Sequence, residues 1–235
     1  MDRREFLTVA GATGAAVSLG SASAQGSDAR EYYELRQYTF DSEEQAKAFH
    51  EFTGNVATPA MNRAGISPLG VFVGAEAFSP VYILFRHPSL ESFTSLKSKV
   101  LADAEFRNAG ESFLNAEYTS PTFARMHSTL MVAFEGMPRL ETPATGPDRV
   151  FQLRTYESPT LLAAQVKIKM FDEDEIDLFR RCGIHPVFFG ETIVGPAMPN
   201  PPTELTTTSL TRLPSRTSTP SPPQYWITRP CARDT

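Results

Sequence analysis

Residues 34–38 read ELRQY and residues 152–156 read QLRTY, 118 positions apart. One five-residue match is weak, so a second in the same register is needed. Residues 65–68 read GISP and residues 183–186 read GIHP, again 118 apart. Two matches with no net insertion between them describe a unit written twice, because self-similarity at a fixed offset marks a repeat. The 235-residue chain then divides into two units of roughly 110 residues, a common domain size.

Around the first pentapeptide, Tyr33, Leu35 and Gln37 alternate with Glu34, Arg36 and Tyr38, the period of a half-buried strand. Asp41, with Glu44 three positions on, is expected to cap a helix. Ala46, Phe49, Phe52 and Val56 give that helix an apolar face. Pro59 is expected to kink or end its first part, and Gly65 to terminate it. Residues 66–74, 81–85 and 128–134 read as further strands, with helix from a Ser89 cap between the last two. The order βαββαβ is the ferredoxin-like pattern.

The second unit repeats the start. Residues 149–156 form a strand, and Ser158-Pro159 opens a helix whose apolar face is Leu162, Val166 and Met170. Acidic residues 172–177 read as a solvated face or a break. Ile176 and Phe179 return to the core, Gly183 ends the helix, and residues 184–194 form a strand. Each sheet needs cover on its helix-free face, and the two units can supply it to each other. The expected fold is α+β: tandem ferredoxin-like units forming a dimeric α/β-barrel-type fold. In that arrangement Leu35 and Leu153 pack beneath helices. Arg36, Tyr38, Arg154 and Tyr156 face the shared interior as candidate binding residues, and Glu191 joins them.

The second unit looks truncated. Residues 201–235 are a dense Pro/Thr/Ser mixture with the composition of a disordered tail. At the offset of 118, the strand at 80–87 should recur at 198–205, which reads MPNPPTEL. The change falls abruptly near Asn200, as a frameshift would produce, and threonine codons read out of frame encode Asp, Tyr, Asn or His. The segments are thus 1–24 signal, 30–136 first unit, 137–148 linker, 149–200 partial second unit, and 201–235 a disordered or frameshifted tail.

Arg3 and Arg4 precede a weakly apolar stretch, and Ala22-Ser23-Ala24 fits a cleavage site after Ala24. This resembles a twin-arginine export signal, making the Tat export machinery a partner and the periplasm or exterior the destination. No other stretch is long and apolar enough for stable membrane insertion. The net charge of −5 and the lack of a basic stripe argue against nucleic acid as a partner. Cys182 and Cys231 do not make a disulfide framework. Cys182 takes the repeat position of Ala64 and is expected to be buried.

The quoted pentapeptides, extended to YELRQY and FQLRTY, together with MFDEDEIDLFRRCGIHPVFFGETIVGPAMPN at 170–200, resemble the bacterial NIPSNAP family over about residues 30–200. The resemblance implies the tandem ferredoxin-like, dimeric α/β-barrel fold. It implies no catalytic residue that can be carried across. In the family the segment after MPN continues as a strand and helix, and the departure here fits a lost frame.

The residues themselves carry little catalytic chemistry. His50, His87, His127 and His185 show no metal-ligand spacing, and no nucleotide or hydrolase signature occurs, so no cofactor is expected. His185, beside Gly183, reads as a surface-loop histidine before a proton shuttle. Arginine forks suit carboxylates and enolates, but Glu34 and Glu191 can neutralise them in a structural network, which is the preferred reading. The favoured function is an exported small-ligand-binding or assembly module, taking a small apolar or anionic ligand or forming a homo-oligomer. The alternatives are a cofactor-independent oxygenase or isomerase and a non-functional frameshift product.

Overall fold

The computed structural model describes residues 29–74, 77–143, 150–196 and 205–213. The signal residues Arg3, Arg4 and Ala24 lie outside them, as does Cys231. The first unit runs β1 (Tyr32–Thr39), α1 (Glu43–Phe52), a π-helical turn (Thr53–Ala57), α2 (Thr58–Arg63), β2 (Leu69–Val73), β3 (Val81–His87), α3 (Leu90–Ala102), α4 (Ala104–Ala109), α5 (Glu111–Leu114) and β4 (Arg125–Ala133). The second runs β5 (Val150–Ser158), α6 (Leu161–Met170), a π-helical turn (Phe171–Glu175), α7 (Ile176–Arg181), β6 (His185–Val194) and β7 (Leu205–Leu213).

The duplication extends to fine detail. The bounds of α1, its π turn and α2 each recur 118 residues later in α6, its π turn and α7. The positive-φ terminators Gly65 and Gly183 keep the same spacing, because the left-handed conformation that ends these helices favours glycine. Pro59 does not cause the widened turn, since Asp177 stands at its repeat position and the turn is present there too. The caps differ from expectation by one or two residues. Ser42, not Asp41, accepts from the Gln45 backbone N–H, and Gln45 reaches back to the Asp41 N–H. Thr160, not Ser158, caps α6, because β5 extends through Ser158.

All pairings are antiparallel, and the seven strands form one sheet in the order β2-β3-β1-β4-β6-β7-β5. The first unit supplies β2-β3-β1-β4, the second β6-β7-β5, and the β4–β6 ladder joins them. The sheet curls so far that its two edges meet: Phe72 of β2 and Phe151 of β5 stack edge to face at 5.4 Å. Every strand contributes to the enclosed core, which includes Tyr33, Leu84, Met131, Leu153, Phe188 and Leu210. Helices cover the outer face over two further cores, one around Phe49, Ile83 and Leu96, the other around Phe134, Phe171 and Phe189.

Two expectations are corrected here. Residues 201–235 have the composition of a disordered tail, yet β7 lies within them, pairing with β5 along its length and with β6 over Thr207–Arg212. Threonine is a strong strand former, and a slot between two strands offers hydrogen bonds on both sides, which outweighs composition. The repeat offset missed it because β7 is displaced. Leu35 faces Leu84, whereas its counterpart Leu153 faces Leu210, an offset of 126 rather than 118. The linker is also less free than its prolines suggest. Met137 is buried, Leu140 packs on the enclosed core, and the Glu141 N–H donates to the Val187 carbonyl.

At the joint, Gly190 lies against Met131, and a Cβ at 190 would stand 2.9 Å from the Met131 Cβ. Gly190→Val should lower stability by about 1–3 kcal/mol, the usual cost of overpacking, read as a lower denaturant midpoint. An unchanged midpoint would mean that the two strands do not approach so closely.

Candidate functional site

Alternation along β1 places Glu34, Arg36 and Tyr38 on one face and Tyr33 and Leu35 on the other. The faces are the reverse of the expected ones. Tyr33, Leu35 and Leu153 line the enclosed core. Tyr38 packs beneath α1 on Phe49, with ring centroids 4.5 Å apart, and Tyr156 packs beneath the second π turn on Phe171. Arg36 lies over Phe85, a member of the helix-covered core. Arg154 lies 5.9 Å from the Phe179 ring of α7. Strand period fixes which residues share a face, not which face meets the helices. The enclosed interior takes the uncharged set, while Arg36 tolerates burial on the other face because Glu34 neutralises it there. The four residues therefore do not converge on a common cavity. Glu191 is also on the outer side, 3.4 Å from Gln165 of α6.

What the structure does assemble is a charged cluster in the first unit. Arg36 donates through Nε to Glu34 Oε1 at 2.7 Å and through Nη2 to Oε2 at 2.9 Å. Ser128, opposite Arg36 on β4, donates to Oε1 at 2.7 Å. His87, at the end of β3 and fully buried, places Nε2 3.8 Å from Glu34 Oε2. That is beyond hydrogen-bond range, and Nε2 has no hydrogen-bond partner. The other ring nitrogen, Nδ1, contacts Ser92 Oγ of α3 at 3.3 Å. Burial alone would raise the Glu34 carboxyl. The bidentate Arg36 guanidinium and the Ser128 hydroxyl, with the His87 ring facing the same carboxylate just outside bonding distance, outweigh it and bring its pKa down to about 2. Burial would lower Arg36, and Glu34 more than offsets this, so Arg36 is pushed up. In the second unit Gln152 replaces the carboxylate, and Arg154 Nη2 donates to Gln152 Oε1 at 2.7 Å.

A second buried carboxylate, Glu31, closes one end of the interior. It accepts from Arg86 Nε at 2.7 Å and from the Leu140 N–H at 2.9 Å. Burial, with the adjacent Glu31, pushes the Tyr33 hydroxyl up, so it stays protonated. Sequence reasoning named Glu34 only as a neutralising partner and missed Glu31, Arg86, His87 and Ser128 as site residues. Only the strand register, which puts Ser128 beside Arg36 and His87 at the far end of β3, could have found the cluster. His185 is exposed at the start of β6. Cys182 is exposed rather than buried. Among the described residues no group of three metal-ligating side chains occurs, and no helix is long and apolar enough to cross a membrane.

A carboxylate that accepts bidentate arginine and a hydroxyl, with a pKa near 2, is a poor base at neutral pH. The cluster is an internal ion pair first. Its linkage follows from the direction of the shift. The folded pKa lies below the ordinary value of 4.5, so the unfolded chain binds the extra proton between the two. The stabilisation is complete above about pH 4.5 and is lost as pH falls through 2, with a size of about 3 kcal/mol. Glu34→Gln should flatten the stability–pH curve in that window and lower stability at pH 7 by about 3 kcal/mol, since Arg36 loses its counter-charge. Acid titration of the denaturant midpoint checks both, and a wild-type slope surviving in the variant would contradict the assignment.

No family model matches the chain, and no curated protein matches it. Among solved structures, it is similar to a NIPSNAP family protein of unknown function from Agrobacterium tumefaciens str. C58, at 12% identity and TM-score 0.36, covering 44% of this chain and 87% of the other. It is similar to an uncharacterised NIPSNAP-like domain protein from Burkholderia xenovorans, at 19% identity and TM-score 0.32, covering 50% and 93%. A candidate monooxygenase from Lactobacillus acidophilus NCFM matches at 8% identity and TM-score 0.49, covering 77% and 76%. The structural neighbours of this chain thus include NIPSNAP family and dimeric ferredoxin-like proteins.

Proposed function

We propose that the chain is an exported, non-enzymatic assembly module that pairs with a second copy of itself through α6. The observation that carries this is the outer stripe of α6. Leu162 is 80% exposed, Val166 70% and Met170 42%, although this face was expected to pack. In the first unit the counterparts of Leu162 and Val166 are Glu44 and Ala48, exposed but polar or small, and only the last position of the stripe is covered. Phe52, the counterpart of Met170, stacks on Phe113 of α5 at 3.9 Å, and Gln45 Nε2 donates to the Pro121 carbonyl. Among the described residues the second unit has no such cover. A contiguous exposed apolar stripe marks an interaction surface.

A second copy is the occupant because the stripe is self-complementary: an antiparallel two-fold centred on Val166 lays Leu162 of one copy beside Met170 of the other, the geometry of a symmetric dimer. The enclosed core is filled by side chains from all seven strands, which favours assembly over a ligand held inside it. The ion-paired Arg36 and Glu34 favour it over an oxygenase or isomerase centred on those arginines. Export by the twin-arginine route to the periplasm belongs to the same proposal.

A second reading, loss of frame near codon 200, is favoured by the same missing cover. Genomic sequencing across codons 190–235 decides it, since a restored frame should encode a strand and a helix like residues 80–109. For the assembly reading, light scattering should give a dimer at micromolar concentration, and Leu162→Glu with Val166→Glu should give a folded monomer. A wild-type protein that remains monomeric on concentration would overturn it.

A further inference from the structure

A groove crosses the outer side of the first unit. One wall is α1 with its π turn, and the other is α5, the end of α4 and the chain that follows α5. Its volume is about 830 Å³, within the range of small-molecule cavities. Helical spacing sets the first wall, because Glu44, Ala48, Glu51, Phe52 and Asn55 fall on one stripe. The apolar part of the groove is the parallel pair of Phe52 and Phe113, 3.9 Å apart. Gly110 permits that approach, since a Cβ there would stand 3.0 Å from the Phe52 ring. Near the start of α1, Gln45 Nε2 donates to the Pro121 carbonyl at 2.7 Å and bridges the two walls.

The charge around the groove has one sign. Glu44 and Glu51 line one wall and Glu117 the other, and no lysine, arginine or histidine lines it. Among the described residues none of the three carboxylates has an ion-pair partner. A cleft lined by one sign of charge concentrates counter-ions. The helix does not need this charge. At the offset of 118, Leu162 stands for Glu44 and Lys169 for Glu51, and α6 forms the same helix. The acidic character therefore belongs to the groove. Tyr118, next to the lining residue Glu117, is 100% exposed, so its ring is open to an occupant.

We propose that this groove binds a small organic cation with an apolar body, such as an aryl quaternary ammonium. The apolar part rests on Phe52 and Phe113, and the charge lies among the three carboxylates. An ammonium group is also attracted to an aromatic face such as that of Tyr118. A small ligand fits better than a peptide, because a chain passing along the groove would have to break the Gln45 bridge. The proposal does not depend on the α6 contact.

Benzyltrimethylammonium titrated into the isotope-labelled full chain tests it, with amide shifts followed by NMR. The shifts should saturate, be confined to the two walls of the groove, and need more ligand as salt is raised. Benzyl alcohol, which keeps the ring and lacks the charge, should bind about fivefold more weakly. Glu51→Gln with Glu117→Gln, both at exposed positions, should weaken the cation about fivefold and leave benzyl alcohol unchanged. No saturation at millimolar concentration would overturn the proposal. So would equal binding of the alcohol, which would mean an apolar cleft only, or unchanged cation affinity in the double variant. A lysine-rich peptide that bound the groove where benzyltrimethylammonium did not would overturn it in favour of a protein partner. The comparison of cation and alcohol on the wild-type chain decides the matter even if the variant does not fold.

Discussion

The ladder between β4 and β6 is the interaction on which the rest of the molecule depends. It pairs Ala133 with Gly190 and Met131 with Thr192, and it turns two incomplete sheets into one. Each unit has helices on one face only. Without the ladder, the opposite face, carrying Tyr33, Leu84 and Met131 in one unit and Leu153, Phe188 and Leu210 in the other, would meet water. Burying aromatic and aliphatic side chains of this size contributes about 1.5–3 kcal/mol each, so the joint is favoured by the whole enclosed core and not by its own hydrogen bonds alone. The contact is close because position 190 has no side chain.

Charge is kept out of that core and handled elsewhere. Arg36 and Glu34 neutralise each other two residues apart on the helix-covered face, with Ser128 and His87 beside them. Glu31 and Arg86 do the same at one end of the interior. A carboxylate so well supplied with donors holds structure and has little basicity left for proton transfer. The second unit keeps the arginine and replaces the acid with Gln152, so its version of the contact is weaker and does not carry a buried negative charge.

Much of this was legible in the sequence, and the failures share a cause. The offset of 118 residues, read from ELRQY and QLRTY, carries the Gly65 terminator onto Gly183, but it sets the helix start at Ser158, two residues before the Thr160 cap, and holds no sign of the π turns. The strand character of residues 32–39 and 150–158 follows from alternation. What alternation does not contain is a reference to the third dimension. It grouped Glu34, Arg36 and Tyr38 correctly and then assigned them to the wrong side of the sheet. The strand β7 was missed because threonine-rich sequence reads as tail, and because its register had moved by eight residues against the repeat. The ion-pair cluster depends on β3 and β4 lying either side of β1, a long-range fact that no local pattern holds. The exposure of Met170 depends on the lack, among the described residues, of a ring like the Phe113 that covers Phe52 in the first unit, which local periodicity cannot register.

The central claim is that both units fold as one cooperative sheet around one core. Native-state amide hydrogen exchange tests it most directly. The account predicts that the slowest amides of β1, β4, β6 and β7 exchange through a single global opening, with the same free energy and the same denaturant dependence. If the amides of β6 and β7 instead exchange at a distinctly lower free energy while β1 and β3 stay protected, the two units are separate structures in contact, and the shared core does not hold them together.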